Sequence, residues 1–200
     1  MPTALDYAQL AAFVHANARG LANTPFLPAS WEDKSGQFIT TGNMSGFSAG
    51  VFTKGTDIVI AFEGTNPNLL SVDGIEDLIA DAATFAGLTL GQVQAAALLY
   101  EQVKEKYGSG YSISFTGHSL GGGLASLMSV FFNRSSTNFD PAPFAVAASN
   151  PVGILAVTTY LLLKGYPDSD LGALLAGSPL VVVNPIKLVN QRGQRRIIFA

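Results

Sequence analysis

No cysteine occurs in this 200-residue chain, which excludes disulfides, thiolate-held metals and a cysteine nucleophile. Histidine is almost as scarce, with 2 copies, His15 and His118, so a histidine-rich metal site is not expected. Charge is sparse as well. Only 12% of residues are charged, and 11 bases against 14 acids leave a net charge of −3. That balance forms no basic stripe, and nucleic acid is not an expected partner. Met1–Asp6 lacks a basic segment and carries an early acid, so no cleavable signal peptide is expected. The expected location is cytoplasmic, or exported without a cleavable signal peptide.

Apolar residues are plentiful, at 48%. Such a composition fits a sheet covered on both faces, whose central strands are nearly continuous apolar runs. It also fits a protein working at an apolar surface. Ala142–Leu163 runs without a charge, long enough on paper to span a bilayer. Pro143, Asn150, Pro151 and Gly153 interrupt it, so a buried strand, a turn and a helix are expected there and no transmembrane segment.

Periodicity orders the rest. Residues 4–20 predict a helix with Leu10, Phe13 and Val14 on one face, stopped by Gly20. Gln37–Thr41 and Phe47–Lys54 predict a hairpin around Gly42-Asn43, followed by a compact apolar strand at Asp57–Phe62. Helical spacing recurs over 75–82 and 93–107. Strands are expected at 111–116, 144–148, 180–184 and 196–199, with helices over 120–132 and 154–164. This alternation predicts one α/β domain over 1–200, with a largely parallel sheet and helices on both faces.

The chemistry concentrates in Phe115-Thr-Gly-His-Ser-Leu-Gly-Gly-Gly123. Gly117-x-Ser119-x-Gly121 has the spacing of a nucleophile elbow, in which a serine on a tight strand-to-helix turn exposes its hydroxyl to a cleft. His118 belongs to the same turn, and its ring is expected to point away from the hydroxyl. Serine needs a base to remove its proton and donors to hold the resulting oxyanion. One donor is the N–H of Leu120, the residue after the nucleophile. A second is expected from the loop after a central strand, where Gly64 permits close approach and Thr65 offers both N–H and hydroxyl.

Val59-Ile-Ala-Phe-Glu-Gly-Thr65, Asp77-Leu-Ile-Ala-Asp81, the elbow and Ala148-Ser-Asn-Pro-Val-Gly153 occur in that order. Over roughly 35–155 the chain resembles the class 3 lipases, the fungal triacylglycerol lipase-like branch of the α/β hydrolases, and their bacterial lipase and phospholipase relatives. The resemblance implies an α/β-hydrolase fold and a serine hydrolase of carboxylic esters, often lipid esters. It implies Gly64-Thr65 as the oxyanion loop, Ser119 as nucleophile and a lid within Asn66–Leu90, where Leu69, Leu70 and Phe85 could meet substrate. No cofactor or metal is implied, and the expected partner is a small-molecule or lipid ester, with possible contact to a lipid surface. Family sequences carry Arg where this chain has Glu63, read as a change in local salt bridging.

Chain order in this fold is Ser, then Asp or Glu, then His, and no histidine follows Ser119. His15 is expected to be a helix-face histidine without a function. Asp170 or Asp168, in the loop before a late strand, are the acid candidates, and Asn184 stands near the place where the family has its acid. Three explanations are open: a hydrolase continuing past Ala200, with the fold incomplete at its C-terminus; a scaffold that binds lipid or protein without catalysis; or an unorthodox base. The oligomeric state is not legible.

Overall fold

The computed structural model describes residues 1–18, 20–21, 25–42, 46–64, 88–167, 169–171, 186–189 and 195–198. Helix α1 (Ala4–Ala18) starts where Thr3 and Asp6 cap each other: Asp6 N–H donates to Thr3 Oγ1 at 3.1 Å and Thr3 N–H to Asp6 Oδ2 at 2.8 Å. That reciprocity satisfies two donors that a helix start leaves over. Two short strands, β1 (Glu32–Asp33) and β2 (Thr41–Gly42), flank a single 3₁₀ turn at Ser35–Gln37. Both pair antiparallel with β3 (Phe47–Lys54). The expected hairpin therefore exists with a shorter first arm, because Gln37 closes the 3₁₀ turn instead of entering the sheet.

Strand β4 (Asp57–Phe62) pairs antiparallel with β3 and parallel with β5 (Ser112–His118). Parallel pairing continues through β6 (Ser135–Phe139) to β7 (Ile186–Val189), and β8 (Arg195–Ile198) returns antiparallel. The sheet thus has four parallel strands at its centre and antiparallel strands at both sides. Ile58 to Phe62 are all buried, since β4 is covered on both faces. Val59 and Ala61 pack with Tyr7, Leu10 and Val14 of α1 on one face. Ile58, Ile60 and Phe62 pack on the other with α2 (Leu90–Tyr107), α3 (Leu120–Phe131) and α5 (Pro151–Leu163).

Two expectations need correction. Phe144–Ala148 is not a strand: Ala145–Ala148 forms the short helix α4, and Asn150 then caps α5, its Oδ1 accepting from Val152 N–H at 3.0 Å and Gly153 N–H at 3.1 Å. A short apolar run is equally compatible with helix, and periodicity does not separate the two. The charge-free run is accordingly two helices, and no helix among the described residues is long and apolar enough to cross a membrane. Strands β1, β6 and β7 lie outside the expected set, and β6, with the sequence Ser-Ser-Thr-Asn-Phe, is polar. Its buried Asn138 donates from Nδ2 to Ser126 Oγ at 2.8 Å and Ser136 Oγ at 3.0 Å, and Ser126 Oγ donates to Gly122 O at 2.9 Å. These bonds tie β6 to the first turn of α3. Asn138→Ala is expected to lower stability by about 2 kcal/mol, read as a shift in denaturant midpoint at constant slope. The expected strand at 180–184 and helix at 75–82 lie outside the described residues.

Candidate active site

β5 ends at His118 and α3 begins at Leu120, leaving Ser119 as the single residue of the turn. Its backbone sits at φ 55° and ψ −124°, a conformation that costs a non-glycine residue about 1–3 kcal/mol. The surroundings hold it there. Ser119 N–H donates to Phe139 O at 3.1 Å, and Ser119 O accepts from Ala142 N–H at 2.9 Å and Gly123 N–H at 3.0 Å. The flanking glycines are required by backbone contact. A Cβ on Gly117 would lie 2.4 Å from the Gly121 carbonyl, and one on Gly121 would lie 2.3 Å from Phe62 O. Ser119 itself is exposed.

The loop leaving β4 is seated against this turn. A Cβ on Gly64 would meet His118 O at 3.0 Å, Ser119 Cβ at 3.7 Å and Gly121 N at 3.9 Å. Leu120 opens α3, and the first N–H groups of a helix have no partner within it. The positive end of the helix dipole lies at the same point. Thr65, and Asn66–Gly87 of the expected lid, lie outside the described residues.

Ser114 and Thr116 turn toward α1: Tyr7 Oη donates to Ser114 Oγ at 2.9 Å, and Thr116 Oγ1, which donates to Thr137 O at 2.7 Å, lies 3.4 Å from Tyr7 O. Strand alternation puts His118 on that face too, with its ring 6.4 Å from the ring of His15 at 85°. The two histidines of the chain therefore meet at the edge of the sheet that carries Ser119. Sequence spacing contains no signal for this, because it depends on α1 crossing beside the end of β5. Asp140 also lies near the turn. His118 pairs with Phe139 across the parallel ladder, so Asp140 is the neighbour of Ser119 on the adjoining strand end. Asp170 is not brought there. Its Oδ2 lies 3.0 Å from Lys104 Nζ near the end of α2, at the opposite edge of the sheet. Asp168 and Asn184 lie outside the described residues. Among the described residues no group of three or more His, Asp or Glu could hold a metal ion.

A family model described as phospholipase-like, Tle-like phospholipase domain, matches residues 7–147. No curated protein matches the chain. Among solved structures, a fungal lipase–inhibitor complex is similar with 19% identity and a TM-score of 0.47, covering 78% of this chain and 66% of that one. The Rhizomucor miehei lipase propeptide complex gives 18% identity and a TM-score of 0.45, covering 78% and 56%. Lipase from Rhizopus microsporus var. chinensis gives 13% and 0.42, covering 69% and 56%. The chain thus spans 56–66% of the length of these lipases. The fold is a mixed α/β sheet with helices on both faces, and the chain belongs to the phospholipase-like family, as a Tle-like phospholipase domain.

Proposed function

We propose that this chain is a serine hydrolase of carboxylic esters, of lipase or phospholipase type. The observation that carries the reading is Ser119 held at positive φ on an exposed strand-to-helix turn, with Gly64 packed against it. In this reading Ser119 Oγ attacks the ester carbonyl carbon and its proton passes to a base. Leu120 N–H and Thr65 hold the oxyanion. As the intermediate collapses, the bond from the carbonyl carbon to the leaving oxygen breaks, and the base returns its proton to that oxygen, so an alcohol departs. Water then cleaves the acyl-enzyme and regenerates Ser119. The turn holds Ser119 exposed and fixed through its backbone before substrate arrives, so little reorganisation is needed during attack.

The substrate class in this reading is a lipid ester, supported by the family match over residues 7–147. The test is hydrolysis of a short-chain p-nitrophenyl ester and of phosphatidylcholine in mixed micelles by the full chain. Turnover of either supports the reading. Thr65→Ala is expected to lower turnover on the order of 100-fold with a smaller change in KM, because an oxyanion donor acts mainly in the transition state. An unchanged rate removes Thr65 from the mechanism.

A catalytically silent scaffold that binds the ester without cleaving it is the second reading. It is favoured by the position of Asp170, whose carboxylate is committed to Lys104 and not to the elbow. Folded protein with no turnover of either ester supports it.

A further inference from the structure

A cavity of about 480 Å³ opens at the other edge of the sheet, between the end of α2, the start of β5, Arg134 and the turn after α5. Ile113 lines it, and Ser119 lies six residues further along the same chain segment. At about 3.3 Å per residue the two sites are roughly 20 Å apart. The cavity is therefore separate from the elbow, and its volume lies within the usual range for small-molecule sites.

Its charged groups are unevenly satisfied. Lys104 Nζ is held by Asp170 Oδ2 at 3.0 Å and Glu101 Oε2 at 3.7 Å. Glu101 is 4% exposed, and Ser169 Oγ donates to its Oε1 at 2.6 Å. Burial pushes the Glu101 carboxyl above its ordinary range, despite the Ser169 hydrogen bond and the Lys104 charge. Glu105 accepts from Tyr166 Oη at 3.0 Å. Arg134 differs from these. Its Nε donates to Tyr100 Oη at 3.0 Å, its guanidinium carbon stands 6.0 Å from the Tyr100 ring centroid, and no carboxylate among the described residues pairs with it. A guanidinium has five donors, and Nε uses one of them. Tyr100 holds the group in place, and among the described residues no acceptor takes the terminal N–H groups, whose fork suits a planar, two-point acceptor.

We propose that this cavity binds a small molecule carrying a phosphate or carboxylate group, held by the guanidinium of Arg134. A second part of the ligand lies along Tyr111 and Tyr166, with Glu105 accepting from its hydroxyl or amino groups. The acidic neighbours give selectivity. Glu105 favours a molecule that carries hydrogen-bond donors at the end away from Arg134.

A phosphate group comes either from a free metabolite or from a lipid headgroup, and the two sources separate in the experiment. The full chain is titrated with inorganic phosphate and with succinate by calorimetry at constant ionic strength. Pelleting with phosphatidylcholine vesicles, with and without phosphatidic acid, forms the second arm. Wild type and Ser119→Ala are expected to bind alike, in a saturable manner, in at least one arm. Arg134→Gln is expected to weaken that binding about tenfold or more. Arg134→Lys, which keeps the charge and removes the fork, is expected to weaken it severalfold, and it serves in place of Arg134→Gln should that variant misfold. Saturation in the first arm marks a free small molecule, and phosphatidic acid dependence alone marks a headgroup. No saturable binding in either arm, or binding indifferent to both Arg134 variants, overturns the proposal.

Discussion

Ser119→Ala is expected to lower ester turnover on the order of 10⁴-fold or more, to the level left by binding and oxyanion donors alone. The substitution removes one oxygen and nothing that supports the turn. Ser119 is bound to its surroundings through backbone groups, to Phe139, Gly123 and Ala142, and alanine keeps all of them. Alanine tolerates positive φ no better than serine, so the strain at 55° is unchanged. Melting temperature is therefore expected to stay within a few degrees of wild type. In the proposed mechanism the loss appears in kcat, since the attacking atom is gone while the backbone of the turn is intact. A parallel loss of rate and stability would instead point to a structural role for the hydroxyl.

Gly121→Ala is expected to be the most damaging single-methyl substitution, costing about 3 kcal/mol or more together with activity. The added carbon would stand 2.3 Å from Phe62 O and 2.7 Å from the Glu63 carbonyl. Both atoms are backbone, so no rotamer change relieves the clash. Relief requires that α3 move away from the end of β4, which also draws the Gly64 loop off Ser119. Gly36, where an added Cβ meets nothing within 4 Å, is the control, and Gly36→Ala should leave the chemical-denaturation midpoint nearly unchanged. Equal stability of the two variants would contradict the close β4–α3 contact.

The elements that sequence reading located share one property: their side chains bury by apolar pattern. β4 is a continuous apolar strand because both of its faces are covered, and α1, α2 and α3 follow helical spacing. β6 was not legible for the opposite reason. Its burial is of hydrogen-bonded serine and asparagine, with Asn138 and Ser136 linked to each other and Asn138 to Ser126 of α3. Such a network has no hydrophobic period. α4 misled in the other direction, since Phe-Ala-Val-Ala-Ala is apolar in either conformation.

At the site, local motifs were legible and tertiary proximity was not. Gly117-x-Ser119-x-Gly121 works within one turn, so spacing alone identifies it. The neighbourhood of Asp140 follows from the register of β5 with β6, a strand that the sequence hides. His15 reaches His118 by the packing of α1 along β5, over a separation that no local pattern encodes. Asp170 looked acceptable by chain order, but the ion pair with Lys104 ties it to α2 at the other end of the sheet.

The central claim is an activated serine at the elbow, and its most direct test is labelling by a fluorophosphonate followed by mass spectrometry of the peptide containing residue 119. The account predicts one phosphonylated serine, Ser119, with labelling abolished in Ser119→Ala and by prior heat denaturation. Natively folded protein that stays unlabelled, or that labels at another serine, would contradict it.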